Sequence, residues 1–226
     1  MTLEGMFRHP TSVLLFGESR PLLSWVAYAF ASAENPMFLW TDVRLAGQPN
    51  SPEGPLARNL VPEDRLHVLE THDLLRNDEI SNKAIANVIR GDEAPDNVQL
   101  LIEFLRLPPR LQELLSSAKA ANRPATLVLS NAHRMAAHYP AATVGPVIRA
   151  IVATDTILFM TFADVPGTGQ NAFETVLRLE GRDPREWRQA ALVTEKGPSD
   201  GPFRTGSMHR LSELEPIATV LARDLK

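Results

Sequence analysis

The sequence has 226 residues, 44% of them hydrophobic and 22% charged, which is the composition of a single globular domain. It contains no cysteine, so disulfides, thiolate zinc sites, iron–sulfur clusters and cysteine nucleophiles are excluded. Lys and Arg total 23 against 27 Asp and Glu, a net charge of −4 that argues against nonspecific coating of nucleic acid. A chain of this length can bury about 70% or more of its unfolded surface without a disulfide or metal staple. No apolar run reaches the roughly 18–20 residues of a membrane span. Residues 1–10 carry Glu4 and no apolar stretch before Pro10, so the sequence predicts no signal peptide and a cytoplasmic location.

Val13-Leu14-Leu15-Phe16 is a short apolar run closed by Gly17, the pattern of a buried parallel strand. Pro21 to Ala33 follows with Leu22, Trp25, Val26, Ala29 and Phe30 at helical spacing, and Pro21 suits the first turn of that helix. Residues 37–41 (MFLWT) predict a second strand. Gly47 to Pro62 holds Pro49, Pro52, Pro55 and Pro62 and is read as a surface loop. Residues 66–70 predict a third strand. Helices are predicted over 80–90, 97–107, 110–121 and 144–152, with Gly91 and Pro108-Pro109 as breaks. Strands are predicted over 126–129 and 156–162 (TILFMTF). Strands alternating with helices imply βαβ units and a parallel sheet covered on both faces.

The last quarter of the chain changes character. Residues 173–179 alternate with period two, 190–194 form another apolar run, and Phe203–Met208 is read as a further strand. Turns are predicted around Gly181–Pro184 and Gly197–Gly201. This predicts an antiparallel meander joined to the parallel sheet. Residues 211–226 predict a closing helix. No internal repeat or domain boundary is visible, so the chain is read as one domain over 1–226.

A glycine-ended first strand, a helix, a parallel sheet and a C-terminal meander together resemble the RecA/KaiC-like branch of the P-loop NTPases, over roughly residues 11–210. The resemblance implies a three-layer α/β/α fold with a mostly parallel central sheet. The phosphate loop of that superfamily is G-x-x-x-x-G-K-[ST], whose N–H groups, Lys and hydroxyl hold phosphates and Mg²⁺. The matching stretch here is Gly17-Glu18-Ser19-Arg20-Pro21-Leu22-Leu23-Ser24. Gly17 and Ser24 match. Leu22 replaces the second glycine, Leu23 replaces the Lys, and Pro21 lacks an N–H. Glu18 adds negative charge where phosphates would lie. The same eight residues also read as a plain strand–turn–helix junction.

The fourth strand of the family ends in a metal-binding carboxylate, whereas this chain continues Leu129-Ser130-Asn131. The second strand resembles the segment that carries water-activating acids in KaiC-like proteins. Asp42 matches the first acidic position and Val43 replaces the second; Asp42 also reads as a turn cap. The resemblance therefore implies an inactivated member with no catalytic residues, no resident cofactor and no metal. Such members are expected to act in regulation or signalling through protein contacts, as homo-oligomers or with another protein. A residual nucleotide site would use Gly17, Ser19, Arg20, Ser24 and Asp42, with ATP as its ligand. That would make the chain a nucleotide sensor or a slow ATPase.

Other constellations compete. Ser19 between a strand and a helix is similar to a nucleophile elbow, although Pro21 stands where G-x-S-x-G needs glycine. His133, His138 and His209 are then candidate bases, with Asp155 or Asp164 to orient one. His133 and His138 are five residues apart, a poor helical metal pair, and read as surface histidines. Pro166–Asn171 is a small-residue loop after the fifth strand, read either as a ligand-crevice loop or as a connector. Arg178, Arg182, Arg185 and Arg188 alternate with Glu180, Asp183 and Glu186, which suggests a solvated or subunit-facing surface rather than a nucleic-acid track. Trp25, Trp40 and Trp187 are candidates for subunit contacts or for the core.

Overall fold

The computed structural model describes residues 11–33, 39–42, 66–69, 116, 120, 125–129, 149, 156–162 and 170–225. The strands in chain order are β1 (Thr11–Phe16), β2 (Leu39–Asp42), β3 (Leu66–Leu69), β4 (Ala125–Leu129), β5 (Thr156–Phe162), β6 (Thr175–Glu180), β7 (Ala191–Lys196) and β8 (Met208–Arg210). Two α-helices accompany them, α1 (Arg20–Ala33) and α2 (Glu215–Asp224). Six strands form one sheet in the order β4-β5-β1-β6-β7-β8, and β2 and β3 pair as a parallel two-stranded unit with β2 beside β4. Pairing is parallel for β4–β5, β5–β1 and β1–β6, and antiparallel for β6–β7 and β7–β8. The protein is therefore α/β with a mixed sheet, and the predicted antiparallel meander occupies one side of it.

The apolar run of β1 lies between two parallel neighbours, and all six of its residues are buried. Its two polar residues are satisfied at the start of β6. The Thr11 hydroxyl donates to Glu174 Oε2 at 2.7 Å, and the Glu174 N–H donates to Ser12 Oγ at 3.1 Å. Burial without such partners would cost on the order of 1–3 kcal/mol for each group. Val13 and Leu15 share one face of the sheet with Leu177, Leu179 and Leu192, and α1 and α2 complete the core on that face.

Helix α1 is buried further round than its predicted stripe. Leu23, Ser24, Ala27 and Tyr28 are as inaccessible as Leu22, Trp25, Val26, Ala29 and Phe30. A helix apolar on every side belongs inside a domain, which explains why its interior residues carry no charge. Helix α2 is amphipathic instead. Ile217 and Leu221 are buried four residues apart, Glu215 stands in its first turn and Arg223 in its last, both favourable to the helix dipole.

One predicted strand is corrected. Residues 203–207 form turns, and only Met208–Arg210 pair with β7. Gly206 takes φ +84°, a left-handed conformation that interrupts any strand there. Its N–H donates to Thr194 O at 2.8 Å, and Gly197 N–H donates to Thr205 Oγ1 at 3.0 Å, so the 197–207 segment closes back onto β7. Phe203 turns inward and is buried, its ring edge-on to Phe30 at 5.7 Å and to His209 at 5.5 Å. The predicted closing helix is also broken, into a 3₁₀ turn (Leu211–Glu213) followed by α2. The helices expected over 80–90 and 97–107 and the loop 47–62 lie outside the described residues. Ser116, Ala120 and Arg149, within the other two predicted helices, are helical.

Candidate functional site

In an open α/β sheet, ligands settle where connections leave neighbouring strand ends in opposite directions. Here the chain leaves β1 toward β2, on the β4 side, and crosses from β5 to β6 on the other. The C-terminal ends of β1 and β5, in register at Phe16 and Phe162, form that position. The residues that follow β1 are Gly17, Glu18 and Ser19, and α1 begins at Arg20.

This three-residue junction changes the meaning of the eight-residue match. Ser24 lies in the second turn of α1 and is 1% exposed, so its hydroxyl belongs to the helix interior. Leu22 and Leu23, which stand for the second glycine and the Lys, are likewise buried core residues. The Ser19 carbonyl accepts the Leu23 N–H at 2.9 Å, the first bond of the helix. Arg20 is exposed.

Gly17 has a packing reason to be glycine. A Cβ there would sit 2.6 Å from the Leu179 carbonyl oxygen and 3.1 Å from Leu179 Cβ. Strand β6 thus passes too close to the end of β1 for any side chain. Ser19 is buried at 4% exposure, and its Oγ has no hydrogen-bond partner among the described residues. A buried hydroxyl without a partner is uncommon in native proteins.

Charges around the junction neutralise one another. Arg182 pairs with Glu18 through Nε to Oε2 at 2.6 Å, and its second nitrogen reaches Oε1 at 3.4 Å. Arg178, at the C-terminal end of β6 opposite Phe16, donates Nε to Glu195 Oε1 at 2.6 Å and also pairs with Glu180. The hydrogen bonds to Glu195 and Glu180 raise the Arg178 pKa above its ordinary value. Both pairings are solvent-exposed and contribute little to stability. They commit Arg178 and Arg182 to carboxylates, whereas the exposed Arg20 at the start of α1 has no ion pair among the described residues.

Asp42 is the last residue of β2, in register with Leu69 of β3. Ser130, Asn131, His133, His138, Asp155, Asp164 and residues 166–169 lie outside the described residues. His209 lies on β8, where its Nε2 donates to the Pro202 carbonyl at 2.7 Å, and so serves the Phe203 turn. Among the described residues no group of three or more His, Asp or Glu could hold a metal ion. Trp25 and Trp187 both belong to the core. Trp187 Nε1 has no hydrogen-bond partner among the described residues, and the Arg188 guanidinium lies 4.8 Å from the Trp187 ring centroid.

Sequence reasoning missed the Glu18–Arg182 pair. Its members are 164 residues apart, and the only sequence signal is their opposite sign. No described helix is long and apolar enough to cross a membrane. The chain matches no protein-family model and no curated protein at a significant level.

Proposed function

We propose that this chain is a non-hydrolysing, RecA/KaiC-like pseudo-NTPase that acts as a regulatory or scaffolding protein through protein contacts. The single observation that carries the reading is the β1–α1 junction. Three residues separate strand from helix, and the position of the phosphate-binding Lys is a buried leucine. A loop this short has few N–H groups to cradle a triphosphate, and no ammonium to neutralise it. The strand order supports the fold half of the reading. β1 lies inside the sheet between β5 and β6, and the antiparallel meander extends it on the β6 side.

Turnover of Mg-ATP by the purified chain is expected to remain at background, and Arg20→Ala is expected to leave that background unchanged. Arg20 is exposed, so its truncation does not disturb the core. A turnover above background that falls in Arg20→Ala would overturn the proposal.

A second reading, a nucleotide sensor, is favoured by one feature. The unpartnered Ser19 hydroxyl stands at the N-terminus of a 14-residue helix, where N–H groups and the helix dipole favour anions. A serine hydrolase built on Ser19 is disfavoured by the same geometry. The hydroxyl is buried and bonds no base among the described residues, whereas a nucleophile needs both access and a base within reach.

A further inference from the structure

Among the described residues, strand β8 ends the six-stranded sheet. An edge strand offers unpaired N–H and C=O groups to any second chain, and native proteins blunt such edges. The ladder to β7 shows which groups point outward. Leu211 N–H donates to Ala190 O and Thr194 N–H donates to Ser207 O, each at 2.9 Å, and Leu192 stands opposite His209. Antiparallel alternation then directs the main-chain groups of residues 209 and 211 and the Ser207 C=O toward β7, while the Ser207 N–H donates to Arg204 O at 3.0 Å. Those of Met208 and Arg210 face away from the sheet.

The outward Arg210 N–H is already engaged. It donates to Glu213 Oε2 at 3.2 Å, from the 3₁₀ turn that follows the strand. Met208, beside it, is 63% exposed and is the one large hydrophobic residue exposed among the described residues. Val193, opposite Met208 on β7, is half-buried. Without Glu213 the edge would offer two consecutive outward-facing residues, 208 and 210, next to an apolar side chain. With Glu213 in place, Met208 keeps the outward N–H that has no partner among the described residues.

We propose that Glu213 is an edge guard, whose carboxylate occupies the outward Arg210 N–H and so prevents β8 from pairing with β8 of a second copy of this chain. The inference concerns a surface apart from the β1–α1 junction and does not depend on the proposed function. It implies that any self-assembly uses a surface other than this edge.

Sedimentation of the full chain over a range of concentrations tests it. Glu213→Ala is expected to self-associate about 25-fold to 100-fold more tightly than the wild type, because each of the two copies frees one edge N–H and each hydrogen bond is worth about fivefold to tenfold. Glu213→Gln retains an acceptor oxygen and is expected to match the wild type. Loss of the guard also removes a contact of the 3₁₀ turn, so association through unfolded protein must be distinguished. Adding Met208→Lys to Glu213→Ala places a charge on the edge and is expected to abolish the new association. The proposal is overturned if Glu213→Ala sediments as the wild type does. It is also overturned if Glu213→Gln associates as strongly as Glu213→Ala, or if Met208→Lys fails to reverse the association.

Discussion

Phe203→Ala is expected to lower the stability of the fold by about 3–5 kcal/mol, the range for removing a buried aromatic side chain. Phe203 is 2% exposed and sits in the core with Phe30, Leu211 and Leu214. Its ring meets Phe30 and His209 edge-on, so truncation removes two aromatic contacts as well as apolar burial. The loss is a large fraction of the roughly 5–15 kcal/mol that holds a typical domain folded. Denaturant unfolding measures it as a shift in midpoint at constant slope. Phe203→Leu keeps most of the volume and is expected to cost clearly less. Equal, small effects for the two variants would mean that the ring does not belong to the core.

Gly17→Ala is expected to destabilise the protein by about 2–3 kcal/mol, the cost of forcing a methyl into a closed space. The clash is with the main-chain oxygen of Leu179, which is paired with Leu192 of β7 and directly follows Arg178, the last residue of β6 paired with β1, so the obstacle cannot rotate away. At about 2–4 °C per kcal/mol for a domain of this size, the melting temperature should fall by roughly 4–12 °C. The result separates two meanings of a glycine after a first strand. A phosphate-loop glycine would show its effect as lost nucleotide binding, whereas here the effect is on folding with or without nucleotide. A Gly17→Ala protein as stable as the wild type would show that β6 does not approach this turn so closely.

Much of the described fold was legible because apolar runs and glycine breaks coincided. The run at 156–162 was bounded at both ends, and the structure places β5 there. Period-two alternation over 173–179 located β6 within two residues, since one face of that strand is buried and the other carries Arg178 and Glu180. The failure at 203–207 has a local cause. Phe203 and Met208 look like the ends of a strand, but Gly206 takes a left-handed conformation, and Phe203 is apolar because it enters the core from a turn. Apolarity records burial, and burial does not require a strand.

The candidate site was legible in composition but not in geometry. The missing Lys and second glycine could be read directly from Leu23 and Leu22. That α1 begins at Arg20, placing Ser24 inside a helix, depends on a boundary that Pro21 marked only approximately. The pairing of Glu18 with Arg182 depends on β6 returning beside β1 after more than 150 intervening residues. Local patterns carry no record of such contacts.

Thermal unfolding of the purified chain with and without millimolar Mg-ATP, Mg-ADP or a non-hydrolysable analogue tests the pseudo-NTPase reading most directly. A ligand held at about 100 times its Kd stabilises a folded protein by roughly 2.7 kcal/mol. For a domain of this size that would raise the melting temperature by roughly 5–11 °C. The three-residue junction and the buried Leu23 predict no saturable shift with any of the three. A saturable rise that is lost in Ser19→Ala would contradict that expectation and establish the junction as a nucleotide-binding site.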